Sequence, residues 1–490
     1  MTRRWAGGTF ALAAALASVE AFARVGGGGG YSGGGGGGDG AGGGAGLIFG
    51  LVRLLLWLVF RHPIVGIPVV IIVVIVVLNM AKSGALRRSV AENPTVFPQT
   101  APVRHTAANL TPVRATDPYF SEPVFVDFAQ LVYARAQELR GRGTREPITP
   151  WMAPGAIDTL FADRAALESV AEVVFGATRI VQAATEGGFV RLDVAFEANL
   201  SEVRAGVRSQ LLCAETWSFR RKAGVRSAIP ERMRALGCAG CGSTLEPKTD
   251  GSCASCGRPR CGGLTQWEVG AIPFANRRPL TPPELAVELG GGVERGTEIP
   301  TVVDPRLQAA KRAFEGRHPD HAWPAFESRV VTAFLALQEA WSLRSWERAR
   351  PYETDALFQS HRFWMERYVA FGLINRVEQV AVTRVVAAKI DLDAFYESIT
   401  VRVFAHALDW TEDAGGKLVG GSKSTPRVFS EYWTFLRAIP GSVPLPTSCP
   451  SCGAPIAPEG GSIVCASCGS RLVGDAPDWV ASRIEQDDAY

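Results

Sequence analysis

Four Cys-x-x-Cys pairs constrain this chain more tightly than any other feature: Cys238/Cys241, Cys253/Cys256, Cys449/Cys452 and Cys465/Cys468. Each pair bends into a tight knuckle whose two thiolates converge, and two knuckles on neighbouring hairpins complete a tetrahedral zinc site. The spacing fits, with 11 residues between Cys241 and Cys253 and 12 between Cys452 and Cys465. The flanks repeat too: Cys253-Ala254-Ser255-Cys256-Gly257 matches Cys465-Ala466-Ser467-Cys468-Gly469. A redox Cys-x-x-Cys would open a helix after a strand and would not come doubled. Disulfides would need an oxidising compartment. Two structural zinc ions are therefore expected, one on Cys238, Cys241, Cys253 and Cys256, the other on Cys449, Cys452, Cys465 and Cys468. Four thiolates leave no open coordination position, so neither site is expected to be catalytic. Cys213 and Cys261 are left over, the first expected to be buried and the second a spare thiol beside the first ribbon.

With 490 residues the chain has room for two or three domains. Charged residues at 20% and hydrophobic ones at 47% exclude a disordered chain or a coiled coil, and a net charge of +3 gives no global attraction to nucleic acid. The charge is unevenly placed. Arg220 to Arg260 holds nine Lys/Arg against three acids, whereas Cys449 to the end holds two against six. Only the first ribbon could use counterion release to hold nucleic acid or an anionic membrane.

The N-terminus reads as membrane-directed. Arg3 and Arg4, the apolar run Phe10 to Ala17 and the A-x-A pattern Ala21-Phe22-Ala23 have the three parts of a secretory signal peptide. Sixteen of the 53 glycines lie between Gly26 and Gly46, a stretch that can bury almost nothing and is expected to be a disordered tether. Leu47 to Phe60 is short for a bilayer and contains Arg53, so it reads as an interfacial or re-entrant segment. Pro63 to Ala81 is 19 uncharged residues. As a helix it would reach about 28 Å, against a hydrocarbon core of about 30 Å. Lys82, Arg87 and Arg88 follow at once and predict a cytoplasmic C-terminal side.

An internal repeat emerges at an offset of roughly 200 residues. Pro123-Val124-Phe125 matches Pro324-Ala325-Phe326, Asp158-Thr159-Leu160-Phe161 matches Asp355-Ala356-Leu357-Phe358, and Glu215-Thr216-Trp217-Ser218-Phe219 matches Glu431-Tyr432-Trp433-Thr434-Phe435. Each copy opens with helical spacing: Phe125, Phe128, Leu131, Val132 and Ala136, then Phe326, Val330, Ala333, Phe334, Leu337 and Trp341. Alternating segments follow, Val190/Leu192/Val194/Phe196 and Phe395/Glu397/Ile399/Val401/Val403/Ala405, which predict half-buried antiparallel strands. Helices first and antiparallel strands after is α+β logic.

The arrangement resembles the Tim44-like domain family. The resemblance is carried by Phe326 to Trp341, by Arg350-Pro351-Tyr352 to Leu357-Phe358 and by the strand ending Glu431-Tyr432-Trp433-Thr434-Phe435. Pro118 to Arg221 resembles it more loosely. Bacterial members look similar in their N-terminus of signal, Gly-rich stretch and membrane span. The resemblance implies a curved sheet wrapped by helices, similar to nuclear-transport-factor-two-like cones, with an apolar pocket, affinity for membranes rich in anionic lipid and no catalytic residue. This chain differs in having two such domains and two ribbons.

The expected organisation is a signal peptide over 1–23, a tether over 24–46, an interfacial segment over 47–62, a transmembrane helix over 63–81 and a linker over 82–115. A first Tim44-like domain then covers 116–230, a zinc ribbon 231–262, a linker 263–316, a second Tim44-like domain 317–444, a second ribbon 445–475 and an acidic tail 476–490. The expected location is a bacterial inner membrane, single pass, with the domains in the cytoplasm. No phosphate loop, nucleophile elbow or metalloprotease motif is present, and His406 with Asp391 or Asp393 is the one conceivable acid/base pair. The expected function is non-catalytic binding or tethering of a protein partner in transport or membrane-associated assembly. Two alternatives are nucleic-acid or ribosome binding through the basic ribbon at Arg220, Arg221 and Lys222, and a pocket enzyme of the cone fold. Metal analysis of residues 90–490 is expected to give about two zinc ions per chain; a metal-free protein would remove both sites.

Overall fold

A computed structural model describes residues 108–490 except 234–235, 244–246, 281–290, 295, 440, 443–453, 456–466, 468–477 and 488–489. The described residues fall in one compact unit. Seven helices are described: α1 (Thr111–Thr116), α2 (Glu122–Arg142), α3 (Pro154–Ala162), α4 (Pro230–Met233), α5 (Leu307–Arg317), α6 (Trp323–Ser342) and α7 (Asp355–Ala370). The strands are β1 (Leu167–Glu186), β2 (Phe189–Arg204), β3 (Val207–Lys222), β4 (Glu268–Pro279), β5 (Gly292–Val293), β6 (Leu373–Leu392), β7 (Tyr396–Asp413), β8 (Leu418–Gly421), β9 (Arg427–Ala438) and β10 (Val480–Gln486).

The described residues form a mixed α+β structure with two sheets, each preceded by long helices and antiparallel apart from the short parallel pairing of β5 with β9. α2 opens with a proline in its first turn and closes on Gly143, whose left-handed φ of 75° lets Thr144 N–H reach back to Leu139 O. α6 opens and closes the same way, with Arg344 at φ 53° in the glycine's place. The first sheet runs β1-β2-β3-β4 and the second β10-β9-β7-β6, with β5 beside β9 and β8 beside β7. The β2–β3 register is unbroken from Phe189↔Lys222 to Arg204↔Val207 around the two-residue turn Ala205-Gly206, both at positive φ as a tight hairpin requires.

The two halves share fine detail. Met152 bridges Val269 in parallel fashion, and Glu353 bridges Ala481 likewise. Ala153 N–H donates to Val269 O and Thr354 N–H to Ala481 O, each at 2.9 Å. The β1–β2 and β6–β7 ladders both break beside a residue in the left-handed region, Glu172 (φ 51°) and Gln379 (φ 52°). Most tellingly, the buried Trp217 indole donates to Glu215 Oε2 at 2.8 Å and the buried Trp433 indole to Glu431 Oε2 at 2.9 Å. Each indole then packs on the covering helix, Trp217 against Tyr133 (centroids 4.8 Å) and Trp433 against Phe334 (5.1 Å).

The halves are packed on one another. Phe395, Tyr396, Leu436 and Ala438 join the first core, while Val174 and Leu212 pack against the second. Arg114 NH2 meets Asp391 Oδ2 at 2.8 Å, and Arg179 Nε meets Glu485 Oε1 at 2.7 Å.

Several expectations need correction. Residues 263–316, read as a linker, supply β4, α5 and the segment 294–303, and residues 476–490, read as an acidic tail, supply β10. α1 lies partly within 82–115, also read as linker. β7 is not half-buried: Thr400 and Arg402 are buried along with Ile399, Val401 and Val403. The cause is the segment 294–303, which covers the other face and is tied there by Arg402, whose guanidinium donates to Ile299 O at 2.6 Å and Gly296 O at 3.0 Å. The Asp158 to Phe161 match is out of step by a helical turn, since it closes α3 while Asp355 to Phe358 opens α7.

The expected inner-membrane, single-pass location is also corrected: among the described residues no helix is long and apolar enough to cross a membrane. The signal peptide, the tether and the segments 47–62 and 63–81 lie outside the described residues.

Glu215→Ala and Glu431→Ala should each leave a buried indole N–H without an acceptor and cost about 1–3 kcal/mol in urea unfolding. The Gln variants, which keep an acceptor, should lose less.

Candidate metal centre

The first cysteine set lies in the connection from β3 to β4. Lys222 N–H donates to Gly263 O at 2.8 Å and Arg220 NH2 reaches Glu268 Oε1 at 2.6 Å, so the two ends of this excursion are closed on each other. Between them the chain folds the same knuckle twice. Cys238 N–H donates to Ser243 O and Cys253 N–H to Arg258 O, five residues on in both cases. Gly242 N–H then returns to Cys238 O (2.7 Å) and Gly257 N–H to Cys253 O (2.9 Å). Both glycines are left-handed, φ 77° and 71°, which explains why glycine follows the second cysteine of each pair. At Gly242 a Cβ would also lie 1.7 Å from the Arg232 guanidinium.

The knuckles bring four thiols together. Cys238 and Cys256 sulfurs are 3.7 Å apart, as are Cys241 and Cys253, and all four lie within 4.8 Å of one another. Zinc–thiolate bonds of about 2.3 Å in a tetrahedron place sulfurs ~3.8 Å apart, so the donor set and its spacing fit that ion. The backbone also favours thiolate: N–H groups of Cys256 and Ser255 draw the Cys253 thiol down to about 6. Cys256, although the Arg258 N–H pulls the other way, is pushed up to about 11 by desolvation and by the sulfurs of Cys241, Cys238 and Cys253. Four crowded sulfurs that cannot all ionise alone are what a divalent cation relieves.

The other predicted residues are placed as follows. Cys449, Cys452, Cys465 and Cys468 lie outside the described residues. Cys213 is buried on β3, and burial followed by Glu215 pushes its thiol up to about 12. Cys261 is half-buried beside the tetrad and not part of it.

Of the three basic residues, Arg221 is buried against Asp117 Oδ2 (2.7 Å) with its guanidinium 4.4 Å over Trp267, and Arg220 pairs with Glu268. Lys222, Lys248 and Arg258 are exposed. The conceivable acid/base pair is not assembled. His406 pairs in register with Ala381, whereas Asp391 sits opposite Ser398, about 26 Å along the strand. Asp391 is held by Arg114, and Asp393 accepts the N–H groups of Phe395 and Tyr396.

Two other histidines do meet carboxylates. His318 Nε2 is 2.6 Å from Glu397, which Arg437 also engages, and His361 Nδ1 is 2.8 Å from buried Glu353. Separations as long as the one from His318 to Glu397 leave no local signal.

Residues 307–444 match the Tim44-like domain family. No curated protein matches the chain.

Cys241→Ser and Cys253→Ser should each lower the bound zinc by about one ion per chain, read by elemental analysis. An unchanged zinc content would exclude this tetrad as a site.

Proposed function

From a Tim44-like domain over residues 307–444, we propose that this chain is a non-catalytic binding and tethering protein of membrane-associated protein transport. The family match on the second half carries that reading. The Glu-x-Trp arrangement shared by both sheets supports extending it, so that the chain presents two cone-like domains of one ancestry. In this reading the cysteine sets are two structural zinc ribbons, each inserted before the last strand of its sheet. Each ion would cross-link a loop that buries too little apolar surface to fold alone. The partner is a protein.

The alternative of nucleic-acid binding rests on the exposed Lys222, Lys248 and Arg258 around the first ribbon. Three such charges would give a steep salt dependence, with a log–log slope of about −2 to −3.

In-cell crosslinking of the intact protein, followed by denaturing capture, is expected to recover a defined protein partner and no RNA. A Gly421→Trp variant should lose that partner, because any side chain there meets the Asp409 carbonyl, 2.1 Å from a Cβ, and opens the second sheet. Recovery of RNA that falls away in the triple Lys222→Glu, Lys248→Glu, Arg258→Glu variant would favour the alternative.

A further inference from the structure

The corner between α5 and α6 gathers two imidazoles and a guanidinium around one aromatic ring. α5 is 11 residues long, has no side-chain hydrogen bond at its N-cap and buries only Leu307 and Phe314. A helix of that length is marginal in water unless it is docked, so its few tertiary contacts decide whether it stays in place. His318, just past its end, packs on Phe314 (ring centroids 4.8 Å) and sets Nε2 2.6 Å from Glu397. His321 stands edge-to-face on the same Phe314 (4.7 Å) and on Trp323 (5.2 Å).

The two histidines differ in what their ring nitrogens meet. His318 has a carboxylate, whereas His321 Nε2 is buried without a partner among the described residues. The cation nearest in kind is Arg437 on β9, whose guanidinium lies 4.5 Å over Trp479 and 5.9 Å from the centroid of Phe314. Two acids face the corner and both are engaged. Glu397 on β7 is shared by His318 and by Arg437 at 2.7 Å, and Glu315 on α5 accepts the Trp323 indole N–H at 2.9 Å with Lys311 at 3.8 Å. Asp320 is exposed, and Arg329 on α6 pairs with Asp478 at 2.9 Å.

A proton added at His321 therefore makes a second cation beside Arg437 and leaves a buried N–H without an acceptor. Desolvation foremost, then Arg437 and His318, hold the His321 pKa below the ordinary histidine value. The sign follows from that depression. Above the ordinary value of about 6.5 the imidazole is neutral whether α5 is docked or free, and docking is undisturbed. As pH falls below it the free form takes up the proton more readily than the docked form, so docking weakens, fully so once pH is under the docked value.

We propose that this corner is an acid-released latch: protonation of His321 frees α5 from the second half, while the sheet of β6, β7 and β9 stays folded, and uncovers Phe314, Phe326 and Trp479. The device is independent of the tethering role and of either cysteine set.

Hydrogen–deuterium exchange on the purified full chain tests it, at about pH 7.5 and about pH 5.5 on either side of the histidine range, corrected for the intrinsic pH dependence of exchange. The α5 amides are expected to exchange about threefold or more faster at the lower pH, with β7 and β9 unchanged. His321→Phe keeps a ring in the corner, takes no proton and should abolish the difference; His321→Gln decides the matter if that variant does not fold. No acid-dependent exchange in α5, acceleration spread evenly over the chain, or an acid response that survives in a folded His321 variant would each overturn the proposal. So would a response that is lost in His318→Gln and kept in His321→Gln.

Discussion

A buried carboxylate that holds an indole two residues along the same strand is the interaction on which each half of this protein depends. Glu215 and Glu431 sit on the helix-facing side of their sheets, where a charge without partners would be prohibitive. Each is satisfied by the N–H of Trp217 or Trp433, and the indole so fixed becomes the surface on which the long helix rests. At Glu215 the second oxygen calls in Arg277 from β4, which ties the edge strand to the core.

The second organising constraint is that each sheet gives part of its back to the other half. Val174 and Leu212 from the first sheet pack into the second core, and Phe395 and Tyr396 from the second pack into the first. Arg179 bridges Glu197 on its own sheet and Glu485 on the other, and desolvation there is offset by the two carboxylates, Glu485 foremost, so its pKa stays raised. Surface that would serve separate domains as solvent face is in these places spent on fixing the halves together.

Much of this was legible in the sequence because it is local. Helix periodicity located the buried faces of α2 and α6, the Glu-x-Trp pairs marked equivalent strands, and Cys-x-x-Cys spacing predicted a thiol tetrad whose sulfurs do converge. The rest is set by long-range pairing. β4 carries Pro273 and Pro279, which argue against a strand unless it is an edge, and β4 is one. β10 is likewise a short edge strand hidden among acidic residues. Arg221 reads as a surface cation because its partner Asp117 is 104 residues away. His406 and Asp391 are the converse case, sharing a hairpin but sitting far apart along it.

The position of the cysteine knuckles has a consequence for the order in which the chain assembles. In both halves the excursion leaves the sheet after its penultimate strand and returns as the last, from Lys222 to Glu268 and from Ala438 to Val480. Every other neighbour in the sheets except β5 is joined by a short connection, so the central hairpins can zip locally, whereas β4 and β10 must wait for a long loop to close. A metal clip within that loop would shorten its effective contour and lower the entropy of the search. The final strand is also the one whose partner, Glu215 in the first half, keeps a core cation in place. Completion of the hydrophobic core is thereby coupled to the state of a loop that sends Met233 and Trp267 into the first core.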